Sequence, residues 1–240
     1  MRSGVSAVLG ALMLASVTVP GPALALDGYQ AVKRALYKQV FASNRETLYC
    51  RCPFNDGREP DLGACGYQSP GSSERAGRIE VEHVVPASWI GEGRACWQKK
   101  ICRDAKGRYF KGRKCCLKTD PAFRAAYQDL HNLWPTVGEV NEARRNYAFG
   151  MIDGERRAFG RCDIEVDTKT KTVEPRPEIR GDIARISLYM ARTHHISLSA
   201  DQRHLFERWH RADPLDATER RRNQIIKRIQ GATNTSPTVY

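Results

Sequence analysis

Two adjacent residues, Glu82 and His83, combine side chains suited to metal-assisted chemistry in the segment RIEVEHVVPASW, residues 78–89. A carboxylate is a hard ligand that suits Mg²⁺ or Ca²⁺, and a histidine with a pKa of about 6.5 can accept a proton from water at neutral pH. Hydrolysis of a phosphodiester needs a base that activates water and an ion that stabilises charge. Taken alone, the pair favours a structural ion pair or an exposed strand end over a catalytic site.

A second polar segment, DLHNLWPTVGEVNEARRNYAFG at residues 129–150, changes that balance. Asn141 could project a neutral oxygen from a helix toward a metal. One carboxylate, one amide and several waters suit Mg²⁺, which gives up its hydration water reluctantly. Arg144 lies three residues after Asn141, on the same face of a helix, where it could neutralise a phosphate.

The strand that must hold Glu82 and His83 follows from the surrounding pattern. Apolar and charged residues alternate over 79–85, which predicts a half-buried strand. Pro86 restricts the residue before it and cannot donate to a ladder, so the strand is predicted to break soon after His83. Neighbours in a regular strand point to opposite faces, and such a break lets the two side chains share a site.

Helical patterns dominate the rest of the chain. Apolar residues recur at helical spacing between start and stop signals such as Pro121 and Gly231. The helices predicted in this way are 27–42, 120–135 with a stop at Pro135, a helix beginning near Val137, 179–195, 199–213 and 216–231. Residues 43–78 and 91–118 are predicted to be irregular, and a strand is predicted around 164–166. The predicted fold class is α+β: a mainly helical single domain with a small sheet.

Cysteine usage predicts a disulfide-stabilised protein. All eight cysteines follow residue 25: Cys50, Cys52, Cys65, Cys96, Cys102, Cys115, Cys116 and Cys162. An even number in an exported chain predicts up to four disulfides, with zinc binding as the alternative. The CRC and CC sequences lack the Cys-x-x-Cys spacing usual for structural zinc, which favours disulfides. Adjacent Cys115 and Cys116 are expected to bond two other cysteines rather than each other, and the pairing stays open.

The first 25 residues have the pattern of a secretory signal peptide. A positive start and an apolar run at residues 7–19, short for a membrane span, precede the small-x-small sequence ALA at 23–25. An N-terminal membrane anchor is the alternative. The predicted organisation is a signal peptide at 1–25, a domain at 26–231 and a flexible tail at 232–240. The mature protein is expected to be soluble, free of the membrane, and either periplasmic or secreted.

A strongly positive charge indicates polyanionic partners. The formal net charge is +12 at pH 7, and it becomes +11 without residues 1–25, whose one charged residue is Arg2. A charge of this size opposes self-association, so a monomer is expected. It favours nucleic acid, anionic lipid or acidic glycans without choosing among them.

Three longer motifs resemble one known family. EHVVPASW at 82–89, DLHNLWPTVGEVNEARRN at 129–146 and GDIARISLYM at 181–190 are similar to the endonuclease I family of bacterial periplasmic and secreted nucleases. The resemblance covers roughly residues 27–231, and the family is similar to the ββα-metal (His-Me finger) nucleases. It implies a divalent-metal endonuclease, using Mg²⁺ with Ca²⁺ or Mn²⁺ as alternatives. Such an enzyme cleaves double- and single-stranded DNA, and RNA, without sequence specificity, through backbone phosphates, and leaves 5′-phosphates.

Carried over by position, the resemblance implies roles for the candidate site residues. His83 matches the general base, Glu82 the acidic metal ligand and Asn141 the metal ligand borne on a helix. Arg113, in KGRKCC, matches an arginine that holds the scissile phosphate during catalysis. Asp129 is the carboxylate available to orient the histidine.

Other polar residues have plainer interpretations. Arg144 is expected to contact phosphate from the helical face that it shares with Asn141. Lys111 and Lys114 are expected to do so because they lie between predicted disulfide anchors near the active segment. Glu80 is expected to be solvated or salt-bridged, and His131 to brace a turn by hydrogen bonding. The non-catalytic histidines are expected to be His194, His195, His204 and His210. The alternative function is a secreted basic protein that binds nucleic acid or another polyanion and has a degenerate nuclease site.

Overall fold

The computed structural model describes residues 26–71, 73–154 and 156–231. The signal peptide predicted for residues 1–25 and the tail predicted for 232–240 therefore lie outside the described residues. Within that part of the chain, no helix combines the length and the apolar character needed to cross a membrane.

The described residues form a single α+β domain in which helices outweigh strands, as predicted. The helices are α1 (Gly28–Ala35), α2 (Ala87–Gly91), α3 (Ala95–Gln98), α4 (Arg113–Thr119), α5 (Pro121–Tyr127), α6 (Gly138–Arg144), α7 (Arg180–His194), α8 (Ala200–Ala212) and α9 (Ala217–Gln230). The strands are β1 (Ile79–His83), β2 (Cys102–Arg103), β3 (Tyr109–Phe110), β4 (Leu133–Val137), β5 (Ala148–Phe149), β6 (Ile164–Asp167) and β7 (Thr172–Pro175). A π-helical turn at Leu36–Val40 extends α1.

Three small sheets organise the strands. β1 pairs antiparallel with β4, and β2 pairs with β3 in a hairpin. The third sheet has the order β5-β7-β6. In the first sheet Glu82 faces Trp134 and His83 faces Leu133 across the ladder. Because α6 begins at Gly138, directly after Val137, the helix starts beside Ile79, the first residue of β1. Its last residue, Arg144, reaches the carbonyl of His83 at the other end of that strand.

β1 ends at His83, two residues before the end of the predicted strand. The next residues bond to a neighbouring turn instead of extending the strand. The amide of Val84 donates to the carbonyl of Asn132 (3.0 Å), and the amide of Val85 donates to the Asn132 side chain (2.7 Å). Asn132 thus satisfies backbone groups at the break before Pro86, and it fixes the direction in which the chain leaves the strand.

The helix predicted to end at Pro135 is wrong in its second half. α5 ends at Tyr127, a 3₁₀ turn covers Leu130–Asn132, and β4 follows. Pro135 lies inside that strand, opposite Val81, and its carbonyl accepts a hydrogen bond from the amide of Leu48 (2.9 Å). Proline is tolerated there because β4 borders only one strand in its sheet, so a missing N–H breaks no ladder on the open side.

The predicted helix ends are otherwise close to the observed ones. The Asp120 side chain caps α5 by accepting a hydrogen bond from the amide of Phe123. Ser199 and Gln202 form a capping box at the start of α8, in which each side chain bonds the backbone of the other. Such caps satisfy amides that have no partner within the helix.

Four disulfides join all eight cysteines. The pairs are Cys50–Cys162, Cys52–Cys65, Cys96–Cys116 and Cys102–Cys115. As predicted, Cys115 and Cys116 bond two different partners, at two points of the segment before them. That segment, predicted to be irregular, contains α3, the β2–β3 hairpin and the start of α4. The two disulfides therefore hold short elements that local sequence patterns alone did not reveal.

Candidate active site

A cavity of about 1020 Å³ opens beside β1 and α6. Its walls bring together predicted residues that are far apart in the sequence. The lining includes Glu82, His83, Arg113, Asn141 and Arg144, with Tyr29, Arg75, Glu80, Trp97 and Tyr127 around them. Strand β1, the N-terminus of α4 and one face of α6 thus meet at a single concave surface, the usual form of a ligand site.

His83 is partly exposed and held by one backbone contact. Its Nε2 lies 3.0 Å from the carbonyl oxygen of Tyr127, so Nε2 carries the proton and donates it. The other ring nitrogen, Nδ1, is then free of a proton and able to accept one. Burial lowers the pKa of His83 to about 4; the Tyr127 carbonyl opposes the shift, and the charges of Arg113 and Arg144 add to it. The imidazole is therefore neutral at neutral pH.

Glu82 is 2% exposed although it borders the cavity. The hydroxyl of Tyr49 donates to Oε1 (2.7 Å), and Nε of Arg144 lies 3.3 Å from the same oxygen. Burial raises the pKa of Glu82, while Arg144 and the Tyr49 hydrogen bond oppose that shift. A buried carboxylate of this kind gains strongly from a nearby cation, because desolvation disfavours its charged form.

Asn141 contacts Glu80 directly. Its Nδ2 donates to Oε2 of Glu80 over 2.9 Å, which leaves the amide oxygen for another partner. Glu80 in turn forms ion pairs with Arg75 (2.5 Å) and Arg78 (2.9 Å), so the salt-bridge interpretation of this residue holds. Hydrogen bonds from these side chains outweigh desolvation and lower the pKa of Glu80. The carboxylate that accepts the hydrogen bond from Asn141 therefore stays ionised.

The four basic residues predicted to contact phosphate differ in exposure: three are exposed and one is buried. Arg113 is exposed at the cavity wall, with its guanidinium 5.7 Å from the ring centre of Tyr127, and forms no ion pair within the described part of the chain. Lys111 and Lys114 are exposed nearby, outside the residues that line the cavity. Arg144 is only 1% exposed and donates to the carbonyls of Val84 (2.6 Å) and His83 (3.3 Å). Its charge therefore lies within the cavity wall beside Glu82, with little of the side chain open to solvent.

Asp129 accepts hydrogen bonds from side chains on three other elements. His131 Nδ1 (3.0 Å) and Gln230 Nε2 (3.2 Å) contact Oδ1, while Tyr189 and His194, each 2.8 Å away, contact Oδ2. Burial alone would raise the pKa of Asp129, but the hydrogen bonds from the two histidines outweigh it and lower the pKa. The contact that orients His83 thus comes from the Tyr127 carbonyl and not from Asp129, the residue predicted for that role. Asp129 instead stabilises the turn at Leu130–Asn132.

The donor set suits a hard divalent cation. Glu82 and Asn141 supply a carboxylate and an amide oxygen, and Mg²⁺ accepts such ligands together with water. No group of three or more His, Cys, Asp or Glu side chains in the described ranges could hold a metal. An ion bound here would therefore depend on the amide oxygen and on water as well as on a carboxylate.

The sequence model of the Endonuclease I family matches residues 29–238. The chain belongs to the endonuclease I family. It is 40% identical over 210 residues to an extracellular deoxyribonuclease of Aeromonas hydrophila, across 86% of this chain and 87% of the relative. A periplasmic deoxyribonuclease of the same organism is 40% identical over 222 residues, 91% of this chain and 88% of the relative. Endonuclease-1 of Buchnera aphidicola subsp. Acyrthosiphon pisum is 37% identical over 191 residues, 78% and 72% of the two chains.

Membership of the endonuclease I family confirms the resemblance drawn from the three motifs. The relatives are named as extracellular and periplasmic proteins, which confirms the prediction that this protein is periplasmic or secreted. Four disulfides agree with that location, because such bonds persist in oxidising compartments.

Several contacts at the candidate site were not predicted from the sequence. Tyr49 and the Tyr127 carbonyl each hold a candidate catalytic group, yet a single tyrosine beside a cysteine, or at a helix end, carries no local signal. The contact between Glu80 and Asn141 was also missed. A weak signal existed there, since Glu80 and Glu82 share one face of a strand and so approach the same neighbours.

Proposed function

We propose that the protein is an exported endonuclease that hydrolyses phosphodiester bonds of DNA and RNA without sequence specificity, with the help of a divalent ion. The observation that carries the proposal is the pairing of His83 with the Tyr127 carbonyl, which leaves the other ring nitrogen unprotonated in a cavity that Glu82 also lines. The names of the relatives, deoxyribonuclease and endonuclease, support the same reaction.

His83 acts as the general base. A neutral imidazole accepts the proton of a water molecule at Nδ1, and the water oxygen attacks phosphorus in line with the 3′ oxygen. As the bond between phosphorus and the 3′ oxygen breaks, that oxygen takes up a proton from solvent water, which leaves a 3′-hydroxyl on one product and a 5′-phosphate on the other. The Tyr127 carbonyl keeps Nε2 protonated and the ring fixed, so the base presents the correct nitrogen throughout the reaction.

Glu82 and Asn141 would hold the divalent ion, which we take to be Mg²⁺, with Ca²⁺ or Mn²⁺ as alternatives. When bound, the ion would neutralise charge that develops on the phosphate and on the leaving oxygen. Glu80 keeps the Asn141 amide turned so that its oxygen remains available. The antiparallel β1–β4 pair followed by α6 supports the proposal that this site is a ββα-metal motif.

Arg113 is the residue proposed to hold the scissile phosphate, because its charge is exposed at the cavity wall. Lys111 and Lys114 would contact phosphates farther along the strand. Arg144 contributes positive charge from within the cavity wall while it neutralises Glu82. These contacts are to the backbone, so they position both double- and single-stranded nucleic acid without reading its sequence.

A plasmid assay tests the proposed function. Purified protein is incubated with supercoiled DNA in Mg²⁺ and, separately, in EDTA, and a labelled RNA is tested in the same way. Cleavage in Mg²⁺ but not in EDTA supports a metal-dependent nuclease. Tight binding without cleavage in either condition would instead identify a polyanion-binding protein with a degenerate site. Sedimentation of the same sample checks the prediction of a monomer.

A further inference from the structure

The β2–β3 hairpin projects beside the candidate active site and is rigidly held. Cys102, the first residue of β2, is bonded to Cys115 in α4, and Cys96–Cys116 joins the two helices that flank the hairpin. Its turn is closed by Asp104, whose carboxylate accepts hydrogen bonds from the amides of Lys106 and Arg108, each 2.9 Å away. Cys102 and Phe110, at the two ends of the hairpin, pack against the core, while the turn between them is exposed.

Residues 99–111, which include the hairpin, are strongly cationic. Six of these residues are lysine or arginine and one is acidic: Lys99, Lys100, Arg103, Lys106, Arg108 and Lys111, with Asp104. All six cations are exposed. Asp104 pairs with Arg108 (2.8 Å), so most of the positive charge remains available to a polyanion.

Exposed apolar side chains stand within this charged surface. Three large hydrophobic residues of the described chain are strongly exposed, and two of them, Ile101 (51%) and Tyr109 (53%), lie here. The guanidinium of Arg103 lies over the Tyr109 ring, 4.4 Å from its centre, and also bonds its hydroxyl. Arg103 thus lies against the ring, and about half of Tyr109 remains exposed to solvent.

The hairpin also continues into the wall of the cavity. Trp97 precedes it and Arg113 follows it, and both line the cavity. The amide of Gly112 bonds the carbonyl of Cys96 (2.9 Å), which draws these two connections together. A strand of nucleic acid that leaves the cavity on this side would pass along residues 99–111.

We propose that residues 99–111 bind the strand flanking the bond that is cut, with the basic side chains at phosphates and an unpaired base stacked on Tyr109. This rests on the proposed nuclease function, and it adds a preference for single-stranded or locally unpaired nucleic acid. Aromatic rings combined with cations are the usual means of binding single strands without reading sequence. Ile101 supplies further apolar contact beside the base.

Binding in EDTA tests the proposal. Affinities of wild type, Tyr109→Ala and Tyr109→Phe for a short labelled single strand and for the matched duplex are measured by fluorescence anisotropy at several salt concentrations. Tyr109→Ala should bind the single strand about 5- to 100-fold more weakly, with duplex affinity within about twofold of wild type, because duplex bases already stack on each other. Tyr109→Phe should retain wild-type affinity, and the salt dependence should not change, since no phosphate contact is lost.

Matched controls separate stacking from other effects. Met151→Ala removes the third strongly exposed hydrophobic residue (56%) and should leave both affinities unchanged. A thiol titration of Tyr109→Ala should find no free thiol, which shows that the hairpin disulfides have formed. Lys99→Gln/Lys100→Gln should instead weaken both affinities and reduce the salt slope by roughly one to two.

Three results would overturn the proposal: unchanged single-strand affinity in Tyr109→Ala, an equal loss for strand and duplex, or a loss that Tyr109→Phe shares.

Binding to vesicles of neutral and of anionic phospholipid is measured for the same variants. If Tyr109→Ala lost vesicle binding but kept the single strand, the surface would be a membrane contact instead. Plasmid cleavage by wild type in Mg²⁺ is scored in parallel. Its absence would refute the nuclease function, whereas cleavage with an unaffected Tyr109→Ala would refute only the role of the hairpin.

Discussion

The side-chain amide of Asn141 donates to the carboxylate of Glu80 across 2.9 Å, between α6 and β1. Because this bond fixes which atom of the amide remains available, we expect Glu80→Ala to weaken metal use. The Mg²⁺ concentration for half-maximal cleavage should rise about 10-fold or more, as is usual when a residue that orients a ligand is removed. Activity at saturating Mg²⁺ should largely return. A metal titration of plasmid cleavage measures both quantities.

Glu142→Gln is the matched control for that titration. Glu142 is an exposed carboxylate that pairs with Arg75 (2.9 Å), which also pairs with Glu80, so the change disturbs the same arginine without touching Asn141. Its metal requirement should stay at the wild-type value. If Glu80 acts through Asn141, adding Glu80→Ala to Asn141→Ala should change little. Additive losses in the double variant would show that Glu80 acts in another way.

Asp129→Asn is expected to destabilise the protein most at neutral pH. The buried carboxylate accepts hydrogen bonds from four side chains, and its pKa is lowered in the folded state. Its contribution is therefore complete above the unfolded pKa of about 3.9 and is lost as the pH falls toward the lower folded value. Urea unfolding should show a deficit of about 2–4 kcal/mol at pH 7 that narrows toward pH 3.

Asp201→Asn provides the comparison for that measurement, because Asp201 is exposed in the first turn of α8. Its free energy of unfolding should follow the wild type at both pH values within about 0.5 kcal/mol. A deficit of Asp129→Asn that widened on acidification would contradict the assigned direction of the pKa shift.

The disulfides should differ in what they contribute to stability. Cys50–Cys162 closes a sequence separation of 112 residues, and Cys52–Cys65 closes one of 13. In the chain-entropy description, removing the long cross-link costs about 5 kcal/mol and removing the short one about 3. Paired serine variants, compared by urea unfolding, should keep that order. The Cys50–Cys162 variant should also lose nuclease activity, because Tyr49 next to Cys50 holds Glu82; a reversed order would contradict the prediction.

Local sequence patterns predicted the elements whose cause is local. Alternation revealed β1, and the stop signal at Gly231 placed the end of α9. The prediction that a helix runs as far as Pro135 was wrong for a physical reason. A proline stops a helix, but it is also tolerated in a strand that pairs with only one neighbour. Only the pairing with β1, more than fifty positions earlier in the chain, separates the two cases.

The candidate site shows the same division. Glu82, His83 and Asn141 were identifiable from residue type and family motifs, and the structure brings all three to one cavity. The burial of Arg144 could not be predicted from the sequence. Helical spacing indicates that Arg144 and Asn141 share one face of a helix, but it does not indicate how deeply the arginine side chain is buried. The arginine is buried within the cavity wall, where it neutralises the buried Glu82, and only the tertiary arrangement brings these two side chains together.

The most direct measurement of the central claim is the rate of DNA cleavage by His83→Ala under saturating Mg²⁺, with His204→Ala as the control. His204 is exposed on α8, away from the residues that line the cavity. Loss of a general base should lower kcat about 10²- to 10⁴-fold, while the affinity for DNA in EDTA stays within about twofold of wild type. The control should cleave at the wild-type rate. Near-normal cleavage by His83→Ala would contradict the assignment of His83 as the base.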